Sequence, residues 1–192
     1  EVTGSPRGMA LSEDGRWLYV SHFDSGIISK IETSTFTVVT EISLGSRAGL
    51  VQSITLDSAA QLAYVPNTIR NTDNTSLEFD TSVFPFVSVI DLKEDLHLRR
   101  QRLALDIIDK PVGLPLESLL SGEDLYVVNA ASNDLSVINV ANSRLRAHIE
   151  VGGFPVGIAQ SLDGGFIYID NAVDGSVSVI DAESLSEISR TV

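Results

Sequence analysis

The sequence predicts an all-β fold, a β-propeller of four-stranded antiparallel blades. Three observations predict it: the chain repeats itself four times, apolar and polar residues alternate within short runs, and turn-forming residues separate the runs. A repeat of roughly 40–45 residues that carries four strands is typical of a propeller blade. One tyrosine marks each repeat, at Tyr19, Tyr64, Tyr126 and Tyr168.

The four strands follow one another in the same order in each repeat. The first begins with Pro-x-Gly, as in 6–11 and 155–160, and an Asp-Gly turn such as 14–15 joins it to a second strand that contains Tyr-Val or Tyr-Ile. The third alternates apolar residues with serine, as in 177–181, and the fourth closes the unit, as in 145–151. This order predicts blades at 5–46, 47–108, 109–152 and 153–192.

The second repeat carries an insertion at 69–86, between its second and third strands. Loops of this length usually have a function or form an interface, because ordering them costs conformational entropy. The insertion contains oxygen donors at Asp73, Glu78 and Asp80, and calcium needs six to eight oxygen ligands. We expect a solvated loop here, with a bound Ca²⁺ as the alternative, since the Gly and terminal Glu of an EF-hand loop are missing.

Composition excludes several classes of function. Acidic residues outnumber basic ones 26 to 13, which gives a formal net charge of −13. A surface this negative repels phosphate backbones, so we expect no nucleic-acid partner. The chain has no cysteine, which excludes disulfides, thiolate-ligated metals and haem attached through C-x-x-C-H within it. No apolar run approaches the roughly 20 residues of a transmembrane helix, so we expect no membrane span.

A polar residue stands three positions after each tyrosine, where the second strand ends. Asparagine is a turn residue, so the simpler interpretation is that these side chains cap the strand ends by bonding nearby backbone. The alternative is a polar ring at the rim of the propeller channel, in which the histidine could ligate a metal or haem or exchange protons. The four channel-rim candidates are His22, Asn67, Asn129 and Asn171.

Basic residues and the other two histidines are the remaining candidates. Cations precede or follow the turns between blades, and together they could hold an anion or a haem propionate, although incidental ion pairs are the simpler explanation. The run 99–102 is a solvated turn or a docking point for an acidic partner. We expect His97 on a turn at the outer rim and His148 facing solvent. The inter-blade cations are Arg7, Arg47 and Lys110.

The segments 18–22 and 125–129, together with the Ser-Val-Ile-Asp strands, resemble the YVTN-type β-propeller repeat. The segments 64–68, 79–85 and 110–116 are similar to bacterial YVTN propellers that are fused to, or encoded with, dihaem cytochrome c peroxidase (MauG-like) domains. The resemblance implies a periplasmic or extracellular protein with a c-type cytochrome as partner. It also implies about seven blades. We therefore expect the four repeats to belong to a larger propeller whose remaining blades are a partner, with a closed four-bladed propeller as the alternative.

Three functions remain open at this stage. The first is a non-catalytic scaffold for protein interaction in an exported, cytochrome-associated redox system, with no cofactor in this chain and haem in a partner or fused domain. The second is a propeller that binds haem d1 or a metal and acts as an oxidoreductase. The third is a cell-surface adhesion or lectin-like module. We favour the first, because the sequence contains no G-x-S-x-G elbow, H-E-x-x-H pair or phosphate-binding loop.

Overall fold

The computed structural model describes residues 4–71 and 82–192. The fold is the predicted one, a β-propeller in which the chain forms four antiparallel blades. The chain divides into two compact units, 1–104 and 105–192, and each unit contains two blades. One short helix, α1 (Leu105–Ile108), begins the second unit.

The first blade has the predicted strand order β1-β2-β3-β4, with every neighbouring pair antiparallel. An Asp-Gly turn joins β1 to β2: Asp14 accepts hydrogen bonds from Ser12 Oγ at 2.6 Å and from the backbone N–H of Arg16 at 3.0 Å. The strands are β1 (Pro6–Leu11), β2 (Trp17–His22), β3 (Ile27–Glu32) and β4 (Thr37–Ser43).

The second blade has six strands, because each outer position is divided into two short strands. The two central strands, β7 and β8, have nine residues each. They extend into the segment 69–86 that the sequence predicts as an insertion: Ile69 pairs with Phe84, and Arg70 with Val83. The prediction is wrong at these ends, because β-branched and aromatic residues continue the ladder. The strands are β5 (Ala48–Gly49), β6 (Thr55–Asp57), β7 (Leu62–Arg70), β8 (Val83–Asp91), β9 (Leu96–His97) and β10 (Leu103–Ala104).

The third and fourth blades repeat the four-stranded antiparallel pattern with strands of six or seven residues. The third blade contains β11 (Pro115–Ser121), β12 (Asp124–Asn129), β13 (Asp134–Asn139) and β14 (Arg144–Glu150). The fourth contains β15 (Pro155–Gln160), β16 (Phe166–Asn171), β17 (Ser176–Asp181) and β18 (Ser186–Thr191).

In each unit, the core lies between the two sheets. In the second unit, Tyr126 and Leu135 of the third blade pack with Ile167, Ile169 and Ile180 of the fourth, and all five side chains are buried. Side chains alternate between the two faces of a sheet. The face of the third blade that carries Tyr126 therefore packs against the face of the fourth blade that points away from Tyr168. Burial of side chains this size stabilises the unit by about 1.5–3 kcal/mol each. The first unit has the same arrangement.

Candidate functional site

The four residues predicted at the ends of the second strands are all fully buried. Each is paired with a serine of the third strand rather than with backbone. The bonds are His22 Nε2 to Ser29 Oγ at 2.8 Å, Ser88 Oγ to Asn67 Oδ1 at 2.8 Å, Asn129 Nδ2 to Ser136 Oγ at 2.9 Å, and Asn171 Nδ2 to Ser178 Oγ at 2.9 Å. The serine that recurs in every third strand is therefore one half of a repeated polar pair. The sequence shows this signal, because the same serine accompanies the same asparagine in three repeats.

The surroundings of His22 favour a structural role. Its Nε2 is engaged by Ser29, and its Nδ1 is buried beside Gly4, where an added Cβ would lie 3.3 Å from that nitrogen. A haem or metal ligand needs a ring nitrogen that can reach the bound group, and neither nitrogen of this fully buried side chain has such access. These contacts do not fit a haem ligand. A channel-rim role for the four positions stays a prediction.

In the third blade the polar pair belongs to a larger network. Asn129 Nδ2 also donates to Asp134 Oδ1 at 2.7 Å, and Ser136 Oγ donates to Asp109 Oδ2 at 2.6 Å. His148 Nδ1 lies 3.0 Å from the same Asp109 oxygen. Burial raises the pKa of Asp134, and the hydrogen bonds from Ser132 and Asn129 oppose that rise.

The expectation that His148 faces solvent is wrong. The side chain of Asp109 is completely buried, and His148 lies against it. Asp109 comes directly after α1, and its side chain contacts both Ser136 of β13 and His148 of β14. A cleft of about 460 Å³ beside the network is lined by Lys110, Asp134 and His148, among others.

The three predicted inter-blade cations have different surroundings. Arg7 is exposed and covers the ring of Phe23, with its guanidinium carbon 5.4 Å from the ring centroid. Arg47 lines a cleft of the first unit, and its Nη1 lies 3.4 Å from Asn71 Oδ1. Lys110 is exposed and lines the cleft in the second unit. No described cleft contains more than one of the three, so a shared anion or propionate site remains a prediction.

His97 is also placed differently from the expectation. It belongs to β9, where it pairs with Ile90, so the prediction of a turn at this residue is wrong, and its side chain is buried. The arginines of the run 99–102 follow it in exposed positions. Nothing in the sequence places Arg47 near this run, although Arg47, Arg99 and Arg102 line the same cleft.

The proposed calcium ligands Asp73, Glu78 and Asp80 lie outside the described residues. Within the described ranges, no three His, Asp or Glu side chains are grouped so that they could hold a metal ion. In the same ranges, no helix has both the length and the apolar character needed to cross a bilayer.

One face of the fourth blade is exposed where the equivalent face of the third is covered. Tyr168 is 36% exposed, whereas Tyr126, its equivalent in the third blade, is 2% exposed. Val177, which lies on the same face as Tyr168, is exposed as well, although its equivalent Leu135 is fully buried. The fourth blade therefore presents the surface that the third blade uses to receive its neighbour.

No family model and no curated protein matches the chain. Solved structures do. Hydrazine synthase from Kuenenia stuttgartiensis aligns with 100% of this chain and 50% of its own, at a TM-score of 0.75 and 18% identity. Dihydro-heme d1 dehydrogenase NirN, solved in complex with DHE, aligns with 99% of this chain and 38% of its own, at a TM-score of 0.62 and 16% identity. The chain thus spans half or less of the length of both, and at these identities the likeness shows the fold alone.

Proposed function

We propose that this chain is a non-catalytic YVTN-type propeller scaffold. Its exposed sheet faces pack against further blades of the same repeat, in an exported bacterial redox system with a c-type cytochrome as partner. The observation that carries the proposal is the exposed Tyr168 face of the fourth blade. Its counterpart in the third blade is closed by a sheet of the same kind.

The residues of the Tyr168 face indicate what kind of surface packs against it. Tyr168, Val177 and Val179 form an apolar surface on one face of the sheet, with Asp170 beside them. In the third blade, the same positions are covered by the isoleucines of β16 and β17. A sheet with branched apolar residues at those positions therefore fits the Tyr168 face. Exposed apolar patches of this kind mark protein interfaces.

The first blade presents the matching surface. Leu18 precedes Tyr19 in β2, so it lies on the face of the first blade that is opposite to Tyr19. In the fourth blade, the face opposite to the repeat tyrosine is the one that packs on the third blade. On that face of the first blade, Met9 is 68% exposed and Leu11 is 56% exposed. The chain thus carries one exposed face of each kind, which suits a scaffold that joins blades on two sides.

The redox setting is supported by two resemblances. The sequence resembles propellers encoded with MauG-like dihaem domains, and a solved structure with this fold is named as a dehydrogenase of dihydro-heme d1. This chain covers 50% of the hydrazine synthase chain and 38% of the NirN chain. These shares are in keeping with a propeller that has more than four blades.

Photo-cross-linking tests the docking face. A benzoylphenylalanine is placed at Tyr168 of the protein in its native host, and the cross-linked peptides are identified by mass spectrometry. We expect peptides that carry the Tyr-Val or Ser-Val-Ile-Asp pattern of a blade. The matched control is Val173, which is exposed in a turn of the same blade. Equal cross-linking at both positions, or a peptide with no blade pattern at Tyr168, would contradict the proposal.

An optical spectrum of the native complex tests the redox part separately. A Soret band in the purified complex, retained after His22→Ala, is the expected result, because the proposal places the haem in the partner. A complex that keeps its blade contacts but has no Soret band would remove the redox setting and leave the scaffold. Loss of the band on His22→Ala in a folded complex would instead favour a cofactor bound by this chain.

A further inference from the structure

A basic cleft of about 350 Å³ lies in the first unit, and none of its lining residues belongs to either exposed sheet face. It is formed where the loop after β4 meets the end of β9 and the turn that follows. Three guanidinium groups line it, from Arg47, Arg99 and Arg102, together with the imidazole of His97. Such a local concentration of positive charge contrasts with the net charge of −13 of the whole chain.

His97 gives the cleft an unused hydrogen-bonding group. The residue is 9% exposed, and both of its ring nitrogens are buried without a hydrogen-bond partner among the described residues. Buried polar groups in proteins are almost always paired. His97 differs from His22, whose Nε2 is bonded to Ser29, because neither of its ring nitrogens has a partner and because it forms part of the wall of a cleft. A molecule bound in this cleft is therefore the candidate partner. Burial, followed by the positive charges of Arg99 and Arg102, lowers the pKa of His97.

Arg99 and Arg102, the two arginines of the run 99–102 that line the cleft, have different neighbours. Arg102 lies over the ring of Phe86, with its guanidinium carbon 4.5 Å from the ring centroid. Arg99 extends toward Gly45, where an added Cβ would lie 3.9 Å from Nη2. Neither arginine forms an ion pair with any carboxylate of 4–71 or 82–192. Their charges are therefore available to a ligand.

We propose that this cleft binds a small oxyanion, a molecule that carries a carboxylate or phosphate group. Guanidinium groups bind both kinds of oxyanion in a planar, bidentate manner, and a neutral imidazole N–H adds a further donor. The volume lies at the lower end of small-molecule sites, which favours a compact ligand over a peptide. An adjoining cleft shares His97 and Arg99 but also contains Glu41 and Asp95, whose charges disfavour an anion there.

Binding is measured by calorimetry on the whole chain at constant ionic strength, with inorganic phosphate and citrate as separate probes. We expect saturable binding of at least one probe, and the probe that binds identifies the group. Arg99→Gln and Arg102→Gln should each weaken binding about tenfold, the usual effect of losing one charge-assisted hydrogen bond. The matched control is Arg100→Gln, which makes the same change of charge at a residue that does not line this cleft. It should change affinity less than about twofold.

A second readout reports on the imidazole directly. The ligand's negative charge should raise the pKa of His97, and the NMR signals of its ring should shift in the same titration and saturate with it. The absence of saturable binding of both probes at millimolar concentration would overturn the proposal. So would equal weakening by Arg100→Gln and Arg99→Gln, since this would show a general charge effect. Calorimetric binding without any shift of the His97 signals would place the anion elsewhere and overturn it too.

Discussion

Among single side chains, the asparagine–serine pairs differ in what surrounds them. In the second blade, Ser88 Oγ donates to Asn67 Oδ1, its one side-chain hydrogen bond within 4–71 and 82–192. In the third, Ser136 accepts from Asn129 and donates to the buried carboxylate of Asp109, which His148 also contacts. A hydrogen bond to a charged group contributes about 1.5–3 kcal/mol, roughly twice the value of a neutral one. The same repeat position therefore has a larger energetic role in the third blade.

Substitution of Ser136 by alanine should lower the free energy of unfolding by about 2 kcal/mol, because the buried Asp109 loses a donor. Ser88→Ala is the matched control and should cost about 1 kcal/mol, the value of a neutral pair. Urea unfolding followed by circular dichroism measures both. Equal losses for the two variants would show that the Asp109 contact adds nothing to the pair.

Two buried tyrosines predict a loss of stability at high pH. Burial, together with the nearby carboxylates of Asp95 and Asp57 respectively, raises the pKa of Tyr19 and Tyr64 from 10.0 to about 12. Since these pKa values are raised in the folded state, stability should hold up to pH 10 and fall as the pH rises toward 12. Phenolate absorbance and urea midpoints across this range measure the effect. Tyr19→Phe should make the fall shallower, and an unchanged slope in that variant would contradict the assignment.

Among the turns that join strands, Gly26 and Gly175 make a natural comparison. Both join the second strand of a blade to the third, and both have positive φ, 60° and 61°. A Cβ at Gly26 would lie 2.8 Å from both the Cβ and the carbonyl oxygen of Ala48, whereas nothing lies within 4 Å of one at Gly175. The first turn is therefore packed against the second blade, and the other is open.

Gly175→Ala should cost about 1 kcal/mol, because alanine resists positive φ. Gly26→Ala should cost about 3 kcal/mol, since the methyl group adds an overlap to the same backbone strain. Thermal unfolding of the two variants measures the difference. A loss at Gly175 as large as that at Gly26 would show that only the backbone conformation matters.

The regular blades could be predicted from the sequence, and the second blade only in part. Period-2 alternation specifies β1–β4 and β11–β18, and Asp-Gly turns at 14–15 and 163–164 mark the first and fourth blades, since these signals act over a few residues. The extended ends of β7 and β8 could not be predicted, because Ile69 and Phe84 pair across an intervening segment that looks polar. The oxyanion cleft was missed for the same reason: it joins Arg47 to the turn after His97, about 50 residues on.

In the whole molecule, the same repeat produces two kinds of exposed face. Tyr168 and Val177 form the receiving face on the fourth blade, and Met9 and Leu11 lie on the covering face of the first. Each of these exposed faces has an equivalent that is buried between the two blades of a unit. The apolar residues on the exposed faces are therefore the ones that the repeat uses for packing between blades. Their exposure is the observation on which the proposed scaffold function rests.

A charged residue at Tyr168 should affect assembly without affecting the chain itself. Tyr168→Lys should change the free energy of unfolding of the isolated chain by less than about 0.5 kcal/mol, as for other surface positions. Tyr126→Lys, at the equivalent buried position, should cost about 3 kcal/mol or more, because it buries an unpaired charge. Recovery of the native complex should fall in the Tyr168→Lys variant. Full recovery of the complex would mean that the face is not an interface.

The most direct test is the structure of the assembly purified from its native source, determined by electron cryomicroscopy. We predict a four-stranded sheet packed on β15–β18, with branched apolar side chains over Tyr168 and an exposure of that residue close to the 2% of Tyr126. An assembly in which Tyr168 and Val177 face solvent, or in which a helical protein covers them, would contradict the account.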